Sequence, residues 1–346
     1  MVKYKYILIL IILILISYIS FQLFMPLPIK NKSLEIQIPK GATFRQAANI
    51  FEKENVLRNK TLFLIIGRLS GLDRKIRAGY YSLFSSMNLL DLLKILRNGQ
   101  IIEYEITIIE GDTLSEISEK LSQKGIIDKE YFWQLSKDRD FLASFNIKSP
   151  SLEGYLFPET YKIPKGTEPR DVFAMMINKL REKFTEKLKK RSEELGMTEN
   201  EVLTLASIIE KEAVTDEERP LISAVYHNRL KKKMKLQADP TSIYGVKSFK
   251  EKITYEDLKR KTPYNTYYIK GLPPGPIASP GLKSIIAALY PANVPYLYFV
   301  SNNDNTHHFS ITPDEHLSAV KSYRNRKNMN QKEKTYDDKQ SIFEKS

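Results

Sequence analysis

From Ile7 to Met25 the chain is an apolar run of roughly 19 residues interrupted only by Ser17, Ser20 and Gln22. That length crosses a bilayer as one helix. No charge falls inside it, and Lys3 and Lys5 lie just before it. The positive-inside rule therefore keeps residues 1–6 in the cytoplasm, puts the span at 7–25 and sends the rest of the chain outside. A cleaved signal peptide is the rival reading. The run is longer than an ordinary h-region, and bulky residues follow Ser20 where a small-x-small exit is needed, so the pattern predicts a retained single-pass anchor.

Beyond the anchor the hydrophobic pattern shortens and repeats. Ile38-Pro-Lys-Gly41-Ala-Thr43-Phe-Arg-Gln-Ala-Ala48 lies over Ile108-Ile-Glu-Gly111-Asp-Thr113-Leu-Ser-Glu-Ile-Ser118 at an offset of seventy positions, and Asn55-Val-Leu lies over Gly125-Ile-Ile. Each copy reads as a strand, a glycine turn, a Thr N-cap, an amphipathic helix and a terminal Asn or Gly. The copies fall near 36–60 and 106–130, within a region 34–150. They resemble the LysM-type fold, which in many proteins holds N-acetylated glycan; two packing subdomains of a scaffold fit the same pattern. Between them, Ala78 to Leu83 predicts a strand and Leu89 to Arg97 a helix.

Helical spacing of Phe173, Met176, Ile177, Leu180 and Phe184 predicts one long charged helix over Asp171 to Leu195 with those residues in the core. The next helix opens on Thr198 with Glu201 three places on, a capping box, and Met197 and Val202 are placed for a hydrophobic staple. Projected at 100° per residue, Val202, Ala206, Ile209 and Ala213 form its buried stripe, Lys211 points away, and Glu210 and Glu212 take opposite margins. A carboxyl at such an apolar margin loses hydration, which favours its protonated form and suits a general acid. Periodicity does not choose between the two, because Leu205 and Ile208 flank Glu212 as Leu203 and Ala206 flank Glu210. A boundary carboxylate paired with Lys or Arg is the plain alternative for either.

Context favours chemistry. Ser151-Leu-Glu153-Gly-Tyr155-Leu-Phe157-Pro-Glu159-Thr-Tyr161 packs aromatics and carboxylates into loop sequence. The segments Leu236-Gln237-Ala-Asp239-Pro-Thr-Ser-Ile-Tyr244-Gly245, Thr262-Pro-Tyr264-Asn265-Thr-Tyr267 and Gly271-Leu-Pro-Pro-Gly275-Pro-Ile-Ala-Ser279-Pro-Gly281 follow. Prolines fix the backbone, glycines permit close approach, and Gln237, Asp239, Asn265 and Tyr267 offer oriented donors and acceptors. Together they predict a preorganised cleft for a polyhydroxylated ligand.

The whole chain has 346 residues and a formal net charge of +13. The length allows two or three domains. A basic surface attracts nucleic acid, anionic lipid or anionic wall polymer alike, but a tethered ectodomain without a phosphate loop or recognition motif argues against nucleic acid. There is no cysteine, which excludes disulfides and thiolate chemistry. No His-Glu-x-x-His is present, so neither a metal nor a cofactor is expected. Ser207 and Ser279 lack the strand-elbow-helix setting of a hydrolase nucleophile. His307-His308-Phe309 reads as a turn between two closing strands, with His308 placed to line the cleft. Residues 326–346 are polar and predict a disordered tail.

Six ordered motifs then carry a resemblance: Glu153-Gly-Tyr-Leu-Phe-Pro-Glu159-Thr, Ala206-Ser-Ile-Ile-Glu210-Lys-Glu212, His227-Asn228-Arg229-Leu, Gln237-Ala-Asp239-Pro-Thr-Ser-Ile-Tyr244-Gly, Thr262-Pro-Tyr-Asn265-Thr-Tyr and Gly271-Leu-Pro-Pro-Gly-Pro-Ile. From the anchor to about Tyr323 the chain resembles the YceG-like endolytic murein transglycosylases. The resemblance implies an α+β fold: transmembrane helix, LysM-like small α/β subdomains and a mixed catalytic domain over 151–325. It implies Glu210 as the catalytic carboxyl, with Glu212 the residue to test next. Substrate contacts would come from Glu153, Tyr155, Glu159, Asn228, Gln237, Asp239, Tyr244, Tyr264, Asn265 and Tyr267. The implied reaction cuts the β-1,4 bond between N-acetylmuramic acid and N-acetylglucosamine without water, leaving a 1,6-anhydro end. Here the muramyl C6 hydroxyl replaces the second carboxylate that water-dependent glycosidases use. The implied partners are nascent peptidoglycan strands and the cytoplasmic membrane, with synthases and elongation machinery expected from the family alone. A non-catalytic peptidoglycan-binding scaffold and a hydrolytic muramidase are the competing readings.

Overall fold

The computed structural model describes residues 2–72, 76–302 and 304–322; the tail expected from 326 lies outside them. It is a mixed α+β structure that divides into two compact units, Met1–Ile106 with Tyr161–Glu168, and Thr107–Thr160 with Pro169–Ser346.

The first unit opens on α1 (Val2–Phe24). Its apolar stretch Tyr4–Phe24 has 21 residues and a mean hydropathy of 2.8, and its Ile and Leu side chains from Ile7 to Ile16 are exposed. Next come β1 (Ser33–Ile38), α2 (Phe44–Lys53), α3 (Lys60–Leu69), β2 (Gly79–Phe84), α4 (Leu89–Asn98) and β3 (Glu103–Thr107). Strands β1 and β2 pair antiparallel with Ile36 opposite Tyr81, and their alternation sends Ile36, Ile38, Tyr81 and Leu83 inward. Phe63 stacks on Phe44 at 4.8 Å and meets Phe51 edge-on at 5.9 Å beneath them. Gly67 makes room for the Phe44 ring, which a methyl there would overlap. β3 pairs with β4 (Thr160–Pro164).

The repeat is visible in backbone detail. Gly41 and Gly111 turn at φ +80° and +81°, a left-handed conformation that a side chain resists. Thr43 and Thr113 then close capping boxes with Gln46 and Glu116. Both helices end alike: Asn55 and Gly125 take positive φ, and Val56 N–H and Ile126 N–H return to the carbonyls of Phe51 and Leu121 at 2.8 and 2.9 Å. These are the bonds of a Schellman termination. The division between units falls inside the second copy. Its turn is drawn into the second unit because Gly111 N–H donates to Ser279 O and Ser279 N–H to Asp112 O, each at 2.8 Å.

The second unit contains α5 (Leu114–Gln123), α6 (Lys129–Ser136), α7 (Arg139–Ser144), α8 (Pro169–Lys183), α9 (Glu186–Glu194), α10 (Glu199–Glu212) and α11 (Arg219–Lys231). Short helices α12 (Asp239–Ile243) and α13 (Tyr255–Lys259) follow, then α14 (Leu282–Leu289) and the hairpin β5 (Tyr298–Ser301) and β6 (His307–Ser310). The single helix predicted over Asp171 to Leu195 is two, because Phe184 turns into the core and Thr185 restarts the chain as an N-cap. The expected core residues Phe173, Met176, Ile177, Leu180 and Phe184 are all buried. His307 and His308 lie within β6 and not in the turn that precedes it.

α10 is the centre of this unit, packed against α9, α11, α12 and α14. Thr198 caps it as predicted, with Thr198 N–H donating to Glu201 at 2.8 Å. Every residue from Val202 to Ile209 is buried, so the helix is enclosed all round and the one-sided stripe of the projection understates it. Neighbouring elements therefore reach both of its margins.

Candidate active site

Glu210 stands at the last turn of α10 with its side chain 6% exposed. Arg219, at the first turn of α11, donates from Nη1 to Glu210 Oε1 at 3.0 Å, and Gly281 N–H donates to Oε2 at 2.8 Å. Gly281 is the N-cap of α14, where backbone N–H groups favour an anion. The apolar margin expected for Glu210 is thus replaced by an ion pair and a helix end. Arg219 Nη1 also donates to Ser284 Oγ, and its Nε donates to Asp216 at 3.1 Å, so the guanidinium is fixed from three sides.

A second carboxyl meets the same glycine. Glu110, carried by the turn that Gly111 makes, packs on Gly281 so closely that a methyl there would overlap its carboxyl. Partial burial raises its pKa, and the charge of Glu210 adds to the rise. Glu110 lay inside the repeat read from the sequence, but spacing gave no sign that it would face α10. The signal for Arg219 was equally weak.

Lys211 does not point away. Its Nζ donates to Gly111 O at 3.2 Å and lies 4.2 Å from the centre of the Phe249 ring, a cation–π contact. Burial lowers its pKa. Phe249 also borders a cavity of about 580 Å³ lined by Thr113, Leu114, Trp133, Lys137, Glu153 and Tyr244 among others. Lys211, next to Glu210 in the chain, thereby reaches the aromatic wall of that pocket.

Glu153 sits in the wall of that pocket, 2% exposed. It accepts from Leu114 N–H at 3.0 Å and from the Tyr244 hydroxyl at 2.9 Å, and burial pushes its pKa up to about 8. Tyr264 packs its ring 4.7 Å from that of Tyr244. Glu212 forms a separate cluster: Tyr226 donates to it at 3.4 Å, and burial with the nearby Asp239 charge pushes its pKa up to about 8. The Tyr267 hydroxyl donates to Asp239 at 2.5 Å.

The other candidates pair with groups of the fold as follows. Tyr155 is buried and its hydroxyl donates to Asn200 at 3.3 Å. Glu159 is exposed, 3.9 Å from Lys179. Asn228 clamps the carbonyls of Val294 and Tyr296, each at 2.9 Å. Gln237 accepts from Arg229 at 3.3 Å. Asn265, fully buried, donates to the carbonyls of Leu258 and Arg260 at 3.0 and 2.7 Å. His307 binds Glu218 through its backbone N–H and Nδ1, both at 2.7 Å, while His308 is exposed. Ser207 accepts from Ile277 N–H at 3.0 Å and holds the proline-rich loop onto α10.

Residues 36–322 match the YceG-like family. The chain belongs to that family. Among its relatives, the endolytic murein transglycosylase of Bacillus subtilis is 35% identical over 313 residues, covering 86% of each chain. The protein of that name from Streptococcus pneumoniae is 30% identical over 347 residues, covering 90% of this chain and 63% of its own. The crystal structure of a YceG-like protein from Listeria monocytogenes, at 33% identity, superposes with a TM-score of 0.58, covering 83% of this chain and 98% of that one. All six motifs lie within the matched span of the YceG-like chain, as does each residue of the Glu210 site.

Proposed function

We propose that this chain is a membrane-anchored endolytic murein transglycosylase, a lyase that cuts nascent glycan strands and leaves 1,6-anhydromuramic ends. One observation carries the reading. Glu210 is an enclosed carboxyl held by Arg219 and Gly281 N–H, and its chain neighbour Lys211 packs on Phe249 in the wall of an aromatic-lined cavity, in a family whose curated relatives bear that name. Stacking surfaces and fixed polar groups suit sugar rings.

The reaction requires a proton for the leaving glycosidic oxygen and removal of one from the muramyl C6 hydroxyl as that oxygen attacks C1. The two transfers cancel, so one carboxyl at Glu210 suffices and no water is consumed. Glu212 belongs to the Tyr226 and Asp239 cluster in this reading, and Glu153 and Tyr244 shape the pocket. The LysM-like repeats would supply further glycan contact. The first of them has the order strand, helix, helix, strand with its strands paired antiparallel.

The 21-residue stretch Tyr4–Phe24 of α1, with Lys5 at its start, extends for about 31 Å at helical rise, close to the thickness of a bilayer core. Retained, with Lys3 and Lys5 inside, the helix would restrict the enzyme to strands near the membrane and so limit their length. Fractionation with intact-mass measurement tests the anchor: a chain lacking the helix and free of the membrane rejects it.

Mass analysis of products from purified glycan strands tests the chemistry. Anhydro ends are expected from the unaltered protein and none from Glu210→Gln. Reducing ends would make it a muramidase, binding without new ends would make it a scaffold, and full activity of Glu210→Gln would reject the assigned residue.

A further inference from the structure

Helix α3 has the composition of a buried helix and the position of a surface one. Apart from Gly67, only Lys60, Thr61 and Arg68 among its residues lack a large apolar side chain, and a helix apolar nearly all round belongs in a core or in lipid. It is buried on one face alone. Phe63 and Gly67 enter the core of the first unit, while Leu62, Leu64 and Ile66 pack half-buried against that core. The remaining face carries Thr61, Ile65, Arg68 and Leu69 at helical spacing, with Ile65 52% and Leu69 84% exposed.

What covers that face follows from where α3 begins. The end of α1 is docked on the first unit: Leu23 packs on its core, and Leu27 N–H donates to Met87 O at 2.6 Å, just ahead of α4. The start of α3 is docked on α1. Its N-cap Asn59 donates from Nδ2 to the Tyr18 hydroxyl at 3.4 Å, and Arg58 donates from Nη1 to Met25 O at 3.4 Å. Tyr18 lies inside the end of α1 at Phe24 by about 9 Å of helical rise. A helix lying in a membrane interface sits about 5–10 Å into the boundary between headgroups and acyl chains. The two depths agree.

We propose that α3 is a second membrane element, lying in the bilayer interface at the C-terminal end of α1, with Ile65 and Leu69 against acyl chains and Arg58 and Arg68 among lipid phosphates. The inference rests on the anchor reading of α1. Charge fits lipid as well as depth does. α3 carries no acidic residue, and among the described residues neither Arg58 nor Arg68 forms an ion pair. A guanidinium matches phosphate oxygens, and an anionic bilayer surface attracts such cations. The open face is continuous with the exposed apolar surface of α1, whose Tyr18, Phe21 and Phe24 are each at least half exposed. The first unit is thereby seated on the bilayer and not held away from it.

Depth-dependent quenching tests the proposal. The chain has no cysteine, so a single introduced cysteine carries a fluorophore without background. The full-length protein, labelled with nitrobenzoxadiazole at Ile65→Cys, Leu69→Cys, Leu13→Cys or Asn98→Cys, is reconstituted into vesicles of phosphatidylcholine and phosphatidylglycerol. Leu13 reports the span, and Asn98 reports the end of α4 remote from Met87. Doxyl groups on acyl chains quench probes in lipid, and iodide on both sides of the bilayer quenches probes in water. Substitution of exposed side chains such as Ile65 and Leu69 changes stability little. Probes at Ile65 and Leu69 are expected to lose most of their emission to doxyl lipid, as at Leu13, while the probe at Asn98 answers to iodide alone. If doxyl lipid quenches Leu13 but neither Ile65 nor Leu69, the inference is overturned and the anchor stands, whether iodide reaches the α3 probes or a protein surface shields them. If doxyl lipid fails to quench Leu13, the anchor falls and this inference with it.

Discussion

Arg219 Nη1 lies 3.0 Å from Glu210 Oε1, with the two side chains 9% and 6% exposed. A pair so enclosed is costly to break from one side, because the remaining charge is left without water or a partner. Arg219→Met is expected to lower unfolding free energy by about 3–5 kcal/mol and to abolish product formation. Arg219→Lys should recover part of the stability but less of the activity, since an ammonium does not reproduce the guanidinium fork that spans Glu210, Asp216 and Ser284. Urea unfolding and anhydro-end release, measured side by side, check both statements.

Gly281 lies at φ −72°, a backbone angle alanine adopts freely. Gly281→Ala is therefore expected to fold with a melting temperature close to that of the unaltered protein. Its methyl would displace the Glu110 carboxyl beside the Gly281 N–H that holds Glu210 and lower turnover on glycan by at least about tenfold, the cost of shifting the surroundings of a catalytic group. Equal turnover in the two proteins would show that the position of Glu110 does not matter.

Glu153 gives the protein a pH dependence of known sign. Burial raises its pKa to about 8 in the folded chain, whereas an unfolded Glu titrates near about 4.3. Between those values the folded state keeps a proton that the unfolded state releases. Its contribution is complete below the unfolded pKa and is lost as pH rises through the folded one, with a slope of about 1.4 kcal/mol per pH unit. Glu212, raised to about 8 by burial and Asp239, adds in the same direction. The urea midpoint should fall between pH 5 and pH 8, and should fall less in Glu153→Gln, where no proton is exchanged.

Asn265 separates scaffold from substrate contact. Its buried amide ties down the carbonyls that end α13, and unsatisfied buried carbonyls cost about 1–3 kcal/mol each. Asn265→Ala is expected to lower the denaturation midpoint clearly while leaving KM for glycan unchanged at a temperature where the variant is folded. A raised KM without destabilisation would restore it to the binding surface.

What could be read from the chain was local. The apolar run of α1, the Thr43, Thr113 and Thr198 caps, the glycine turns and the core positions of α8 each follow from nearest-neighbour chemistry and helical period, which act within a few residues. They also brought Glu210 forward, because a carboxyl near the end of a capped apolar helix stands out in one dimension. Which groups meet that carboxyl was decided only by folding. Glu110 and Gly281 are 171 positions apart in the chain, and the Gly111–Ser279 backbone pairing brings them together. No periodicity encodes such a contact, since it depends on how separately formed elements pack. For the same reason Asn228 and Asn265 read in sequence as sugar contacts: an amide suited to a hydroxyl is equally suited to a carbonyl, and the tertiary structure supplied the carbonyls.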